Sequence, residues 1–412
     1  MLRWLLLDMN SFFASCEQHL DPSVRGKPVG IVPMMGVDTT CLLAASVQAK
    51  KYGLRTGTPV GEAKQRCPDL ILRPARHGTY TSIHNQVIAA IETCLPVATV
   101  LSVDEMACRL MGDETRPENA RALALRIKAA IARDLGPCLT CSVGIAPNLF
   151  WAKVASDMQK PDGLIMLDDA DLRGAITTLK LRDIIGIGPG MERRLHRAGI
   201  VMGEQLWNAS LPTIRSIWGG VPGAQFYAKL HGVDLPLTPA NPTRSLGHQH
   251  VLEPHLRNAK GVWRVARDLC LKATERLRRH GWCCTRMSVG VKFSGGGGYW
   301  DRNMTFPATQ DSTEMVALLR AVFASCPATL TPLRVGVTLY DLSPLTAAQL
   351  DLWSYRALPE RTLLMDAVDN LNGKYGRRTV TFGHPADSPI GTKTSKIAFQ
   401  RVPEMWEVEE GR

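Results

Sequence analysis

Two apolar runs in this chain lead into carboxylates. Trp4-Leu5-Leu6-Leu7 runs into Asp8, and Val97-Ala98-Thr99-Val100-Leu101-Ser102-Val103 runs into Asp104-Glu105. β-Branched and aliphatic residues over this length suit buried strands, so each strand is predicted to end in acids. Carboxylates gathered at one sheet edge are costly unless cations sit between them. Mg²⁺ takes one or two protein carboxylates and fills its other positions with waters and phosphate oxygens. Asp8, Asp104 and Glu105 therefore match a site with two Mg²⁺ ions for in-line phosphoryl transfer, one ion activating the attacking oxygen and the other steadying the leaving group. On spacing alone the plainer reading also stands, with Asp8 in a turn and Asp104-Glu105 opening a solvated loop.

Length and composition bound the rest. A chain of 412 residues should form about three domains, each able to bury a core. A hydrophobic content of 45% and a mean hydropathy of −0.06 match soluble globular proteins. No apolar stretch approaches membrane-spanning length, and the N-terminal run, broken by Asp8, has no signal-peptide pattern. A cytoplasmic protein with no membrane association is expected. The eleven cysteines are scattered singly through apolar segments, which fits a reducing compartment. Cys138-Leu139-Thr140-Cys141 has metal-like spacing, but no second pair completes four ligands and the stretch alternates like a strand. Core packing is expected there.

The net charge of +11 is unevenly placed. Residues 241–300 carry eleven Lys/Arg, among them Arg264 and Arg286, against three acids. With Trp263 and Phe293 in the same folded pattern, such an excess points to phosphate. It supplies affinity and salt sensitivity but no base readout.

The fold class read from the pattern is multidomain α+β. Residues 1–20 and 75–168 form a mixed unit interrupted by a compact segment, 21–74. Residues 169–235 are helical and contain Leu181-Arg182-Asp183-Ile184-Ile185-Gly186-Ile187-Gly188-Pro189-Gly190. Gly186, Gly188 and Gly190 in that apolar run mark a helix-hairpin-helix, whose outward backbone amides suit a DNA phosphate. A Pro-rich linker covers 236–243. Beyond it, 244–345 reads strand–helix–strand–strand–helix–strand, a split βαβ sandwich that leaves one sheet face bare. Residues 346–412 are loosely patterned, with one helix predicted at 360–371.

Together these residues resemble the Y-family (translesion) DNA polymerases. The resemblance rests on Asp8 through Ala14, on Ser102-Val103-Asp104-Glu105, and on the stretch from Ser142-Val143-Gly144-Ile145-Ala146 through Lys153, Asp157 and Lys160-Pro161-Asp162-Gly163. It implies a right-hand polymerase: palm (1–20 and 75–168), small fingers (21–74), helical thumb (169–235) and little finger (244–345). It implies that Asp8, Asp104 and the Met9 carbonyl ligate the metals and that Glu105 holds the one that activates the primer 3′-hydroxyl. Phe13, next to Phe12, resembles an aromatic gate under the sugar that leaves no room for a 2′-hydroxyl. In such a pair only one ring need be buried. Lys160 resembles a lysine that reaches the incoming triphosphate.

Two further features bear on activity and partners. The fingers stretch Ala45-Ser46-Val47-Gln48-Ala49-Lys50 keeps a cation at Lys50 but has Val47 where the family carries a tyrosine. Gln349-Leu350-Asp351-Leu352-Trp353 resembles the bacterial sliding-clamp-binding pentapeptide, which docks by inserting Leu and aromatic side chains into a groove. The implied function is a low-fidelity, template-directed DNA polymerase that bypasses damaged bases in DNA repair and the SOS response. It would act as a monomer on primer-template DNA and dNTPs. The alternative from another class is a non-catalytic DNA- and clamp-binding accessory protein of the same fold. A two-metal nuclease would need the acids but neither Phe13 nor the lysines.

Overall fold

The computed structural model describes residues 1–38, 40–237, 245–345, 358–376 and 379–380. The chain divides into two compact units, with the division after Leu237. Residues 238–243 of the expected linker, residue 244 after it and the pentapeptide 349–353 lie outside the described residues.

In the first unit the order is β1 (Trp4–Met9), α1 (Phe12–Leu20), β2 (Val29–Val32), β3 (Ala44–Ala45), α2 (Val47–Lys50), α3 (Val60–Arg66), β4 (Ile71–Pro74) and α4 (His77–Glu92). It continues with β5 (Val97–Val100), β6 (Glu105–Arg109), α5 (Pro117–Leu135), β7 (Cys141–Ala146), α6 (Leu149–Met158) and β8 (Leu164–Met166). The helices α7 (Leu172–Thr178), α8 (Pro189–Arg197), α9 (Gly203–Asn208), α10 (Leu211–Trp218) and α11 (Gly220–Leu230) complete it.

Its main sheet runs β5-β6-β1-β7-β8. β1 is antiparallel to both neighbours and buried at every position, which is why its sequence is apolar except at Asp8. Leu5, Leu7 and Met9 enter one core with Tyr80, Val87 and Ile127, while Trp4 and Leu6 enter a second core with Trp151, Ala155 and Leu195. Strand alternation puts Asp8 on the Leu6 face, the face that α6 covers. α6 lies very close to the sheet because Gly144, opposite Leu6, has no side chain. A Cβ there would fall 1.9 Å from the Ala152 carbonyl oxygen.

One expectation fails in detail. The run 97–103 is not one strand ending in acids: β5 stops at Val100, residues 101–104 turn, and Glu105 opens β6. The Leu101 amide bonds back to the Glu105 carbonyl at 2.9 Å, closing a hairpin inside the apolar run. Glu105 thus begins a strand, with Asp104 just before it, at the same end of the sheet as Asp8.

Segment 21–74 carries its own small sheet, β3-β2-β4, over a core of Leu42, Ala49, Leu54, Val60 and Ala63. Cys141 is buried in β7, Cys138 donates to the Gln18 carbonyl, and all eleven cysteines are free thiols.

The second unit runs β9 (Ser245–Val251), α12 (Ala259–Arg279), β10 (Trp282–Phe293), β11 (Tyr299–Thr309), α13 (Ser312–Phe323), β12 (Pro332–Tyr340), β13 (Ser343–Pro344) and α14 (Leu358–Tyr375). The sheet order β11-β10-β12-β9 places β12 between β9 and β10, so β9–α12–β10 is a split βαβ unit. Ala266, Cys270, Ala273 and Leu277 of α12 pack on Met287, Val289, Val335 and Val337. The opposite face, with Arg286, Ser288, Gly290 and Lys292 on β10, is covered by no described helix. Among the described residues no helix is long and apolar enough to cross a membrane.

Candidate active site

Asp8 and Glu105 are register partners on adjacent strands. Asp104 joins them through the backbone, its carbonyl accepting from the Met9 amide at 2.8 Å. The Ser102 hydroxyl donates to the Asp104 carboxylate and holds it at the hairpin. The three acids foreseen in the sequence are thus brought to one end of the sheet, and Asp8 is only 5% exposed.

Two lysines offset part of the charge on Asp8 and Glu105. Lys153, on the face of α6 above the sheet, puts its ammonium against Asp8, 3.1 Å from Glu105 and 3.0 Å from Asp157. Lys160, just past the helix, stands 2.7 Å from Asp8 and 2.7 Å from Asp157. Burial alone would lower the Lys153 pKa, but Asp8, Asp157 and Glu105 outweigh it and the net shift is upward. Burial lifts the Glu105 carboxyl above its usual range, with Asp8 and Asp104 adding to the lift and Lys153 opposing it. Lys50 of α2 belongs to the same field: partial burial and the Lys160 charge lower its pKa, while Asp8 and Asp104 raise it.

Among the described residues no three His, Cys, Asp or Glu side chains stand ready around one ion. The ammonium groups of Lys153 and Lys160 fill that role. The donors nevertheless fit Mg²⁺ by chemistry, being hard carboxylate oxygens with no thiolate or imidazole among them.

The turn after Asp8 is tightly fixed. Ser11 adopts a left-handed conformation (φ 50°) ahead of α1. Buried Asn10 donates to the Ser142 hydroxyl at 3.0 Å and accepts from the Asp162 amide at 2.8 Å. It thereby ties the Asp8 turn to the loop that carries Lys160.

Phe12 and Phe13 are both buried, at 3% and 6% exposure, so the pair does not divide into one core ring and one open ring. Phe13 stacks on Tyr80, ring centroids 4.5 Å apart and planes 21° apart. Phe12 belongs to the same core cluster.

The DNA-binding candidates fall in separate places. Gly186 takes φ +86°, a conformation that favours glycine, and Gly188 caps α8 with Gly190 in its first turn. In the second unit Arg286 lies on the uncovered sheet face, paired with Asp341 at 3.1 Å and over the Tyr340 ring. Arg264 sits on α12, across the sheet from it.

Sequence reading gave no role to Lys153, Asp157, Asn10 or Tyr80. The i, i+4 spacing of Lys153 and Asp157 was a usable signal, because it puts both on the helix face nearest Asp8.

Comparison with known proteins gives the family. The impB/mucB/samB family matches residues 7–157, and the family's C-terminal domain matches residues 243–352. The DNA polymerase IV of Moorella thermoacetica is 32% identical over 386 residues, covering 91% of this chain and 94% of the relative. That of Alkalilimnicola ehrlichii is 30% identical, covering 83% of this chain and 96% of the relative. A solved Y-family DNA polymerase chimera, Dbh-Dpo4(243-245)-Dbh, shares the fold with a TM-score of 0.70 at 23% identity, covering 84% of this chain and 100% of its own. The chain belongs to the Y-family of DNA polymerases, the impB/mucB/samB family.

Proposed function

We propose that the protein is a template-directed DNA polymerase that adds deoxynucleotides to a primer 3′ end and tolerates damaged template bases. The observation that carries this reading is the meeting of Asp8, Asp104 and Glu105 at one sheet end, under lysines from α6 and the loop after it. We assign residues 1–20 and 75–168 to the palm, 21–74 to the fingers, 169–235 to the thumb, 236–243 to the linker and 244–345 to the little finger.

In the reaction, Asp8, Asp104, Glu105 and the Met9 carbonyl would hold divalent magnesium, which when bound favours the deprotonated primer hydroxyl and offsets charge on the leaving diphosphate. Lys160 and Lys50 bind the triphosphate. Phe13, backed by Phe12 and Tyr80, excludes a 2′-hydroxyl by its bulk. The amides around Gly186, Gly188 and Gly190, together with Arg264 and Arg286, hold the DNA backbone. Gln349, Leu350, Leu352 and Trp353 would engage a sliding clamp and raise local concentration without altering the site. A monomer in the cytoplasm suffices for all of this.

Primer extension with Mg²⁺ and dNTPs is the test. Extension by the parent and none by Asp104→Ala, with DNA binding retained, is the expected result. No extension by the parent favours the accessory protein, and primer degradation favours a nuclease.

A further inference from the structure

Phe13 and Glu17 lie four residues apart on α1. Arg76 caps α4, and Tyr80 lies four residues beyond it. Each pair therefore shares a helix face, and the two faces meet. Phe13 stacks on Tyr80. Glu17 accepts from Arg76 Nε at 2.9 Å and again from Nη2, and it accepts from the Tyr80 hydroxyl at 2.7 Å. His77 stands edge-on to both rings, 5.8 Å from Phe13 and 6.2 Å from Tyr80.

Glu17 is 3% exposed and Tyr80 1% exposed, so the carboxylate and the phenol lie deep in the core while Arg76 reaches them from the surface. A carboxylate buried to that degree needs a paired charge, and Arg76 supplies it. The phenol then supplies direction. Ring stacking is soft to sliding, because dispersion is spread over many weak contacts. A short hydrogen bond to a fixed charge is not. Phe13 thus rests on a ring that is pinned at its far end.

We propose that Glu17 and Arg76 are positioning residues for sugar selection, acting through the Tyr80 hydroxyl to fix the plate on which Phe13 rests. The proposal builds on the reading of Phe13 as the sugar gate. To admit a ribonucleotide, Phe13 must retreat by a fraction of the size of a hydroxyl group, and Tyr80 is the surface it retreats against. With Tyr80 tethered the retreat strains the Glu17 pairing. With the tether cut, the stacked rings slide together and the gate yields while both aromatics remain in place.

The test is single-nucleotide insertion by the full-length protein, comparing kcat/KM for a dNTP with kcat/KM for the matching rNTP. Tyr80→Phe keeps the stack and removes the tether; Glu17→Gln leaves the phenol an acceptor but removes the charge by which Arg76 fixes that acceptor, so the tether loses its anchor. Each should lower the dNTP-to-rNTP ratio about tenfold, and the double variant should go little further because both cut one connection. A purely structural role would depress both substrates and leave the ratio where it was. Phe13→Val serves as the control for the gate itself. A ratio within about twofold of the parent in both tether variants, while Phe13→Val collapses it, overturns the tether and leaves the gate standing. An unchanged ratio in Phe13→Val as well overturns both. Should Tyr80→Phe fail to fold, Glu17→Gln and Arg76→Lys carry the same comparison.

Discussion

Lys153 is the cation that the fold places between Asp8 and Glu105, and Lys153→Met asks what it is worth. Its side chain is 16% exposed, and those of Asp8 and Glu105 are 8% and 26% exposed, so solvent screens the cluster only partly. At the 3.1 Å of the Lys153–Glu105 contact, an effective dielectric of about 20 gives roughly 5 kcal/mol of Coulomb attraction before desolvation is charged against it. Removing one partner from a buried pair costs about 3–5 kcal/mol in total. Lys160, 2.7 Å from Asp8, retains part of the neutralisation and brings the figure to about 2–3 kcal/mol. In a unit of this size that lowers Tm by about 5–10 °C.

The assay is calorimetry in EDTA and again in excess Mg²⁺. Lys153→Met should melt lower than the parent in EDTA and recover most of the difference in Mg²⁺, because an ion that binds the folded carboxylates stabilises them by mass action. The parent, already neutralised from within, should respond less. A variant melting within about 2 °C of the parent in EDTA, or gaining no more from Mg²⁺ than the parent does, would refute the reasoning.

Three other outcomes follow from the same structure. Gly144→Ala should destabilise the first unit by about 3 kcal/mol or more, since the new Cβ meets backbone of α6 that has nowhere to move; denaturant unfolding measures it. Val47→Tyr, at the first turn of α2 one turn before Lys50, should lower the apparent KM for dNTPs by adding a phenol donor to the triphosphate; an unchanged KM in a folded variant assigns that work to Lys50. His250 on β9 has its pKa lowered by burial, Lys272 adding to the fall and Glu253 opposing it. A lowered value in the fold means that the unfolded chain takes up its proton first. The stability His250 contributes is therefore full above its ordinary value of 6.5 and is lost as pH falls below it. His250→Gln should flatten the fall in Tm of the second unit on acidification, as read by calorimetry across that range.

Much of the architecture was legible because burial imposes a period. β1 is apolar from Trp4 to Leu7 as the buried centre of a sheet, and α12 shows the helical spacing Ala266, Cys270, Ala273, Leu277 because one face packs on β10 and β12. The failures are local. The hairpin at 101–104 interrupts an apolar run with no glycine or proline to mark it, and backbone bonds between Leu101, Ser102 and Glu105 decide it instead. β3, β4 and α3 are two, four and seven residues long, too short for a period to register. The acids were legible as a site; their neutralisation was not. Lys153 and Asp157 were given no role from sequence, and the close approach of α6 at Gly144 brings that pair to Asp8.

That closeness explains how the clustered acids are tolerated at all. Carboxylates on adjacent strands repel, and Asp8 has lost nearly all contact with water. A chain that depended on divalent ions for their neutrality would fold only with ions bound. Here the neutralising charge comes from the chain itself. Gly144 lets α6 sit against β7, α6 brings Lys153 over the Asp8–Glu105 pair, and Asn10 fixes the loop that brings Lys160 to Asp8. The consequence for the proposed reaction is direct. Asp8 and Glu105, which would hold the ion, are already paired with lysines, and a triphosphate would offer those lysines new oxygens. On the proposed roles, exchange of carboxylate for phosphate at Lys160 would remove one of the two ammonium groups on Asp8, so that metal and nucleotide binding would support each other through charges already present in the fold.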